Sequence, residues 1–475
     1  DTPMSINTLI ISKEEARKII EQEENHFYDF KAKEVSGSKV QKIAVAFANA
    51  DGGEFVIGIK DYKDESDTDK RWDGMSTIEE YNSILGTFLL IVPSLEVAQN
   101  FLTCPEYPGY LLRVKVEKSN QVHKTSNHEC YLRKGAQSLK LTQEEQIANL
   151  RFAKGTVTYE NDLVPQADPE IVYDNNNITD FLQELSPRTD PLEYCFSENL
   201  IHNKTCQPTV AGILLFADNP SANLPKKCAV KIIRYETKEE EPERENLKET
   251  FSIERPSYKL ITDTVNKVSE IMSQIQVWGT DGKLKTMEYP KETIWEIITN
   301  AIIHRDYSIS DDVQIHIYDN RIEVISPGKL PGNVTIDNIL DTRYARNSKI
   351  VRTLSKYKDA PNKDIGEGLN TAFQKMKEWK LQSPRIEERD NYVYVTIPHI
   401  PLARASELIL KFLDNNDVIT NKQARDITGI KSENSMKSEF YKLRDEGYLE
   451  RVPGREGPSS AWRLTEEGKM NRSLV

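Results

Sequence analysis

The chain has 475 residues and a net charge of −12 at pH 7, so it is too long for one hydrophobic core and too acidic for a generally basic nucleic-acid coat, although local basic patches remain compatible with it. No window approaches about 18 consecutive apolar residues, and the N-terminus lacks the order of a secretory signal, so we expect a cytoplasmic protein with no membrane partner. The cysteines are odd in number and none falls in a C-x-x-C pair, which argues against a disulfide framework and a structural zinc site.

The first third of the chain has the pattern of an α+β unit. Residues 5–24 are a predicted helix with Ser12 as its cap, residues 37–49 are a second predicted helix, and the apolar run at 54–60 is a predicted strand. In the stretch that joins the two helices, strand geometry would place Asp29 and Lys31 on one face. Acidic and basic groups would therefore point the same way.

A polar, proline-containing stretch at 156–177 predicts a linker, and a second unit begins near residue 178. In the middle region, 178–285, the apolar run 209–216 predicts a buried strand. The acidic run 236–249 predicts a solvated loop without a function.

Residues 292–307 predict a helix with one apolar and one polar face. Glu296, Asn300 and His304 stack at i, i+4 and i+8 on the polar face. A carboxylate one turn from an amide suits a pair in which Glu296 orients or deprotonates a water while Asn300 presents an oxygen to Mg²⁺. The alternative is a polar face that is merely solvated.

Two glycines, Gly366 and Gly368, open a further predicted helix. Glycine permits close backbone approach, and the exposed N–H groups of a helix start favour a phosphate. Such a turn is weak evidence alone, and Glu296 and Asn300 on an earlier helix strengthen it.

The last unit, 401–475, has the order of a winged helix. Basic side chains that could touch DNA phosphates are interleaved with acidic ones, so a packing or dimerisation role stays open; the basic residues are Lys431, Lys437, Lys442 and Arg444. We expect the protein to be a homo-oligomer.

The strings E-x4-D-F-K, N-x-x-G-G-x-x-x-x-G-x-x-D and Y-L-R-K-G-A resemble the AlbA-like domain of the Schlafen family, over residues 4–155. The resemblance implies a fold that binds DNA or RNA. In nuclease members three carboxylates hold a divalent metal, and the matching residues here are Glu24, Asp29 and Asp61, with Lys31 close by. Other members bind nucleic acid without cutting it, and that alternative stays open. Further residues that could contact phosphates or bases are Lys115, Lys118, Lys124, Arg133, Lys134 and Tyr131.

The strings E-x3-N-A-x2-H-R-D-Y, S-P-G, R-N-S and G-E-G-L resemble the GHKL group of histidine-kinase-type ATPases, with the core at 286–400. The resemblance implies ATP with Mg²⁺ or Mn²⁺, with Glu296 as the catalytic residue and Asn300 as a metal ligand. Other residues that it implies for cofactor binding are His304, Arg346, Asn347, Gly366 and Gly368. The chain departs from the group at Ser326-Pro327-Gly328, where most members use an aspartate to read the adenine amine. No G-x4-G-K-[ST] loop exists, so a P-loop helicase is excluded.

The sequence therefore predicts a multidomain α+β protein with an AlbA-like α/β domain, a GHKL α/β sandwich and a C-terminal winged helix. The first functional hypothesis is a metal-dependent nuclease whose activity is gated by ATP, in antiphage defence. The alternative is a nucleotide-responsive transcriptional regulator that cuts nothing. The nuclease hypothesis requires Glu24, Asp29 and Asp61 to converge on one cation.

Overall fold

The computed structural model describes residues 7–279, 281–342, 344–362 and 368–472. The chain divides into two compact units, of which the first comprises Asp1–Thr158 with Lys329–Arg346 and the second Tyr159–Gly328 with Asn347–Val475. The architecture is mixed α/β and multidomain, as the sequence predicts. Within the described ranges, none of the helices combines the length and apolarity that crossing a bilayer requires.

The first unit is built on a five-stranded sheet of order β1-β4-β5-β3-β2. Its strands are β1 (Asn7–Ile10), β2 (Tyr28–Lys31), β3 (Gly53–Ile57), β4 (Ala98–Thr103) and β5 (Tyr110–Val116). A hairpin, β6 (Cys130–Lys134) and β7 (Gln137–Leu141), lies outside this sheet. The helices are α1 (Lys13–Glu21), α2 (Gly37–Asn49), α3 (Asn82–Phe88) and α4 (Glu144–Lys154).

Strand alternation gives this sheet two apolar faces, each with its own helix. Phe55 and its neighbours pack with Phe47 of α2, and Val56 packs on the opposite side with Ile20 of α1. The predicted Ser12 cap of α1 is confirmed, because Ser12 Oγ accepts from the backbone N–H of Glu15. This sheet positions Asp29 and Lys31 on β2.

The second unit begins with five helices: α5 (Glu170–Tyr173), α6 (Asn176–Leu185), α7 (Pro191–Ser197), α8 (Val210–Phe216) and α9 (Pro220–Asn223). Next come β8 (Val230–Tyr235), β9 (Leu247–Ile253), α10 (Ser257–Met272), β10 (Gln276–Trp278), β11 (Leu284–Thr286) and α11 (Lys291–Ile303). The unit continues with β12 (Val313–Ile317), β13 (Arg321–Pro327), α12 (Ser348–Ser355), α13 (Gly368–Glu378), β14 (Arg385–Arg389) and β15 (Tyr392–Pro398). Six of the strands form one sheet of order β14-β15-β13-β12-β8-β9, and the apolar face of α11 joins the core built against it.

The C-terminal part of this unit contains α14 (Ala405–Asn415), β16 (Ile419–Thr420), α15 (Asn421–Thr428), α16 (Glu433–Asp445), β17 (Leu449–Arg451), β18 (Ala461–Leu464) and α17 (Glu466–Arg472). These elements surround a core that includes Phe412, Phe440 and Trp462, and their identity as a winged helix stays a prediction. DNA binding by this part of the chain stays a prediction.

Three expectations need correction. The run 209–216 is the helix α8 and not a strand, because all of its residues from Val210 to Phe216 are buried and the periodicity that separates helix from strand is lost. The predicted linker 156–177 belongs in large part to the second unit, where Val172 is fully buried. The acidic run 236–249 is mostly exposed, as predicted, but it is not a loop throughout: its last residues belong to β9, and the Arg321 guanidinium donates to the carbonyl oxygens of Lys238 and Glu239.

Candidate functional sites

The predicted helix with a polar face is α11, and it carries Glu296 and Asn300 one turn apart. Glu296 and Asn300 are half-buried, and Asn300 Nδ2 donates to Glu296 Oε1 at 3.0 Å. Burial raises the pKa of Glu296, and the hydrogen bond from Asn300 offsets part of this effect. A raised pKa makes a carboxylate a stronger base, which suits it to accept a proton from water.

The start of α13 lies directly against this pair. A Cβ built on Gly368 would lie 2.2 Å from Glu296 Oε1, so only a glycine lets the carboxylate take this position. Thr293 of α11 also donates to the carbonyl oxygen of Ala372 at 2.9 Å, which fixes α11 against α13. The structure thus brings Glu296, Asn300 and Gly368 together, while Gly366 lies outside the described residues.

His304, Arg346 and Asn347 make contacts of other kinds. His304 is the C-cap residue of α11, and its backbone N–H donates to the carbonyl oxygen of Asn300 at 3.0 Å. The buried Asn347 side chain donates to the carbonyl oxygens of Ile303 and Arg305 at the end of α11. Arg346 belongs to the first unit. The observed contacts of Arg346 and Asn347 are structural, and their predicted contact with nucleotide stays a prediction.

Ser326 lies at the position where the sequence departs from the pattern of the GHKL group, and its side chain makes a structural contact. Its hydroxyl donates to the carbonyl oxygen of Ala301 at 2.7 Å, and the backbone N–H of Asp306 donates to the carbonyl oxygen of Pro327 at 2.9 Å. The S-P-G turn therefore fastens the end of β13 to the end of α11.

In the first unit, Glu24, Asp29 and Lys31 form one cluster. Lys31 Nζ lies 2.6 Å from Asp29 Oδ1 and 2.8 Å from Glu24 Oε1. Burial raises the pKa of Glu24. Burial favours the neutral amine of Lys31, but its hydrogen bonds to Asp29 and Glu24 outweigh this effect and raise its pKa.

Arg133 is a further member of this cluster that the sequence did not identify as such. Its Nη1 lies 2.7 Å from Asp29 Oδ2, and its Nη2 donates to the carbonyl oxygens of Asn25 and Tyr28. Only 2% of Arg133 and 3% of Asp29 is exposed. The available signal was the alternation along β6, which puts Arg133 on the same side as the aromatic Tyr131.

Asp61, the third predicted ligand, has a local hydrogen bond of its own. It is exposed in the turn after β3, where its Oδ1 accepts from the backbone N–H of Lys63 at 3.0 Å. Across the part of the chain that the structure describes, no three His, Cys, Asp or Glu side chains are arranged to hold a metal ion. The convergence of Glu24, Asp29 and Asp61 on one cation stays a prediction. A metal ion there would compete with the chain's own cations, since both oxygens of Asp29 already bond Lys31 and Arg133.

Burial also sorts the predicted phosphate contacts. Lys118, Tyr131 and Arg133 are buried, so they cannot meet a nucleic acid in this conformation. Lys115 is exposed and borders a shallow pocket of about 330 Å³ on the sheet, beside Arg113. Lys134 is exposed and Lys124 is half-buried.

Two family profiles match the chain. The profile described as "Schlafen, AlbA_2" matches residues 24–142, and the HATPase_c_4 profile, described as "Putative ATP-dependent DNA helicase recG C-terminal", matches residues 310–397. The second match starts after α11, so the assignment of Glu296 and Asn300 rests on the geometry above. None of the curated proteins matches the chain.

One similar solved structure is that of the DIP2311 protein from Corynebacterium diphtheriae. It is 15% identical and covers 93% of this chain and 95% of its own, with a TM-score of 0.38. A similarity of this degree carries no functional information.

By the two family profiles, the chain has a Schlafen AlbA_2 domain followed by an ATPase-like domain. This pairing indicates an ATP-dependent, nucleic-acid-related protein.

Proposed function

We propose that the chain is a nucleotide-responsive nucleic-acid-binding protein, in which ATP held beside Glu296 and Asn300 controls the nucleic-acid contacts of the AlbA_2 domain. The observation that carries the proposal is the Glu296 carboxylate, which is half-buried, bonded to Asn300 and seated against Gly368. Removing a carboxylate from water costs free energy, and such groups with shifted pKa values are concentrated at functional sites. The helix start at Gly368, beside this carboxylate, is typical of a phosphate-binding site.

The donor set fits a nucleotide with its metal. Asn300 bonds Glu296 through its amide nitrogen, which leaves the amide oxygen to serve as a hard ligand for Mg²⁺ or Mn²⁺. Such an ion supplies neutralisation of polyphosphate charge. Glu296 would orient a water and accept its proton, and the N–H groups at the start of α13 would bind phosphate oxygens.

Nucleic acid would be held by basic side chains of the first unit, of which Lys115 is exposed and Arg113 is half-buried. Lys115 and Arg113 lie two residues apart on β5 and so share one face of the sheet, where Arg113 Nε donates to Asn100 Oδ1 at 3.0 Å. Such a face suits phosphate contacts that position a strand without reading its sequence, so DNA and RNA are both candidate partners.

A metal-dependent nuclease is the second candidate. The cluster of Glu24, Lys31 and Asp29 favours it, because a lysine between two carboxylates could serve phosphate chemistry once a metal joined them. It would also require Asp61 to leave its turn and Asp29 to give up a cation. A role in antiphage defence would follow from this candidate only.

The test uses the full chain with labelled tRNA, single-stranded DNA and duplex DNA, with Mg²⁺ or Mn²⁺, with and without ATP. We expect at least one nucleic acid to bind with an affinity that ATP changes on the order of tenfold, without cleavage. Asn300→Ala should abolish metal-dependent ATP binding by calorimetry and the ATP effect, because the polyphosphate charge is left uncompensated.

The matched control is Asn266→Ala, which changes an exposed asparagine on α10 and should behave as the wild type. Cleavage of any substrate, lost in Glu24→Gln, would replace the proposal by the nuclease candidate. Equal ATP affinity in Asn300→Ala and wild type would refute the nucleotide site.

A further inference from the structure

The path of the chain around the candidate nucleotide site is unusual. Strand β13 ends at Pro327 and helix α12 begins at Ser348, both in the second unit, yet the intervening segment Lys329–Arg346 belongs to the first unit. In the sequence, this segment lies between the two elements of the nucleotide site, α11 and α13. We call it the inserted segment.

A buried lysine anchors the first half of the inserted segment. Lys118 is 7% exposed, and its Nζ donates to the carbonyl oxygens of Leu330 at 2.9 Å and Val334 at 2.6 Å. An ammonium group taken out of water is costly unless hydrogen bonds compensate it. The two carbonyl oxygens of the segment are therefore part of what keeps Lys118 buried, and moving the segment would expose or strand this cation.

The second half is anchored at the end of α4. Arg346 donates to the carbonyl oxygens of Ala153 and Lys329, so one guanidinium joins the segment's two ends to the first unit. The first half also contacts the end of α4, because the backbone N–H of Gly332 donates to the carbonyl oxygen of Lys154 at 2.8 Å.

Packing completes this attachment. A Cβ built on Gly332 would lie 2.9 Å from the Tyr344 ring, and one built on Gly155 would lie 3.1 Å from it. Both glycines have positive φ, so neither position readily accepts a side chain. The inserted segment therefore packs against the first unit and is more than a linker.

The residues that anchor the inserted segment restrict it to few stable conformations. Lys154, whose carbonyl oxygen accepts from Gly332, is itself buried and donates through Nζ to the carbonyl oxygens of Ala48 and Ser119. Burial lowers its pKa to about 7, and the charge of Lys118 adds to this effect. Two buried lysines that both depend on carbonyl partners make a displaced arrangement costly, which favours discrete positions of the segment over gradual drift.

We propose that the inserted segment Lys329–Arg346 transmits nucleotide occupancy from the second unit to the nucleic-acid contacts of the first, with Lys118 as its anchor. The inference rests on the proposed function and specifies its regulation. The segment follows β13 and leads into α12. A nucleotide that moves either of these elements would therefore move the carbonyl oxygens to which Lys118 donates. Lys118 follows β5, the strand that carries Arg113 and Lys115.

The test compares the wild type with Lys118→Met, which keeps the apolar stem and removes the ammonium group. Lys18→Met is the control, because Lys18 is an exposed lysine of α1 paired only locally with Glu14. Calorimetry gives ATP affinity, fluorescence anisotropy gives nucleic-acid affinity with and without ATP, and hydrogen exchange reports the amides of residues 329–342.

We expect ATP to change exchange in the segment in wild type and Lys18→Met. In Lys118→Met, ATP affinity should stay within about twofold, while the ATP effect on nucleic-acid affinity falls from on the order of tenfold to less than about twofold. An undiminished ATP effect in Lys118→Met would overturn the inference. So would unchanged exchange in a wild type that binds ATP, a result that needs no variant to fold. A wild type that fails to bind ATP refutes the proposed function, and the inference with it.

Discussion

Glu296 and Asp29 are both buried enough to feel the loss of water, but their partners differ. Asp29 bonds Lys31 through one oxygen and Arg133 through the other, so its charge is compensated by the chain. Glu296 accepts a hydrogen bond from the neutral amide of Asn300. Truncating one partner of a buried ion pair leaves the other charge uncompensated, so Arg133 contributes to the stability of the fold through Asp29. Glu296 has no such ion pair among its described contacts, and its carboxylate can still accept a proton from water.

Glu296→Gln should separate stability from catalysis. Burial places the folded-state pKa of Glu296 above its ordinary value of 4.5, so the folded state binds this proton more tightly than the unfolded state. The resulting stabilisation is fully present below the unfolded-state pKa and is lost as pH rises through the folded-state pKa. At pH 8 the wild type therefore keeps a desolvated carboxylate that the glutamine variant lacks.

We expect Glu296→Gln to raise the free energy of unfolding on the order of 1 kcal/mol at pH 8, with a gap that narrows towards pH 5. ATP binding should persist while hydrolysis slows on the order of a hundredfold. Thermal unfolding across pH, calorimetry and phosphate release measure the three effects. A stability gap independent of pH would show that the carboxylate is not desolvated.

At the scale of elements, the pairing of α11 with α13 shapes the candidate nucleotide site. The two helices are joined by the Thr293 hydroxyl and by the approach of Glu296 to Gly368. The end of α11 is held separately by Ser326 and Asn347. The helix is fastened at both ends, so its polar pair keeps one orientation.

Gly368→Ala should disturb the site without unfolding the protein. The added Cβ meets the end of a flexible side chain, the Glu296 carboxylate, which can turn away at little cost to the fold. We expect hydrolysis to fall at least about tenfold, because the carboxylate leaves its position for water. Gly86→Ala is the control, since a Cβ there meets nothing within 4 Å. Equal phosphate release by Gly368→Ala and wild type would remove the glycine from the site.

At the scale of the whole molecule, the chain leaves the first unit and returns to it once, through the segment Lys329–Arg346. The polypeptide therefore passes between the two units at more than one point. A ligand of the second unit can change the conformation of the first only if it binds two conformational states of the protein with different affinities.

Glu296→Gln also tests this coupling over time. Because we expect the variant to bind ATP and to hydrolyse it slowly, its nucleic-acid affinity should keep the ATP-bound value after a single addition of ATP. The wild type should return to its starting affinity as ATP is consumed. Anisotropy followed over hours, with phosphate release measured in parallel, checks the expectation. Identical time courses for the two proteins, at every ATP concentration, would mean that the units act independently.

Local patterns in the sequence were enough to predict α2, the cap of α1 and the helix that carries Glu296 and Asn300. Each depends on residues within a few positions of one another, and the period of 3.6 is visible wherever one face is polar. The sequence also predicted that a glycine at the start of α13 would matter beside that helix, because glycine and a helix start are local signals.

Tertiary structure alone decided three other features. Helix α8 is buried on all sides, so no polar face revealed its period. The pairing of Asp29 with Arg133 joins residues 104 positions apart, and it gives a predicted metal ligand a cationic partner from the chain itself. The path of Lys329–Arg346 into the first unit rests on Lys118 bonding carbonyl oxygens more than two hundred positions away. Such contacts are set by which surfaces meet after the elements have formed, and no local pattern in the chain records that meeting.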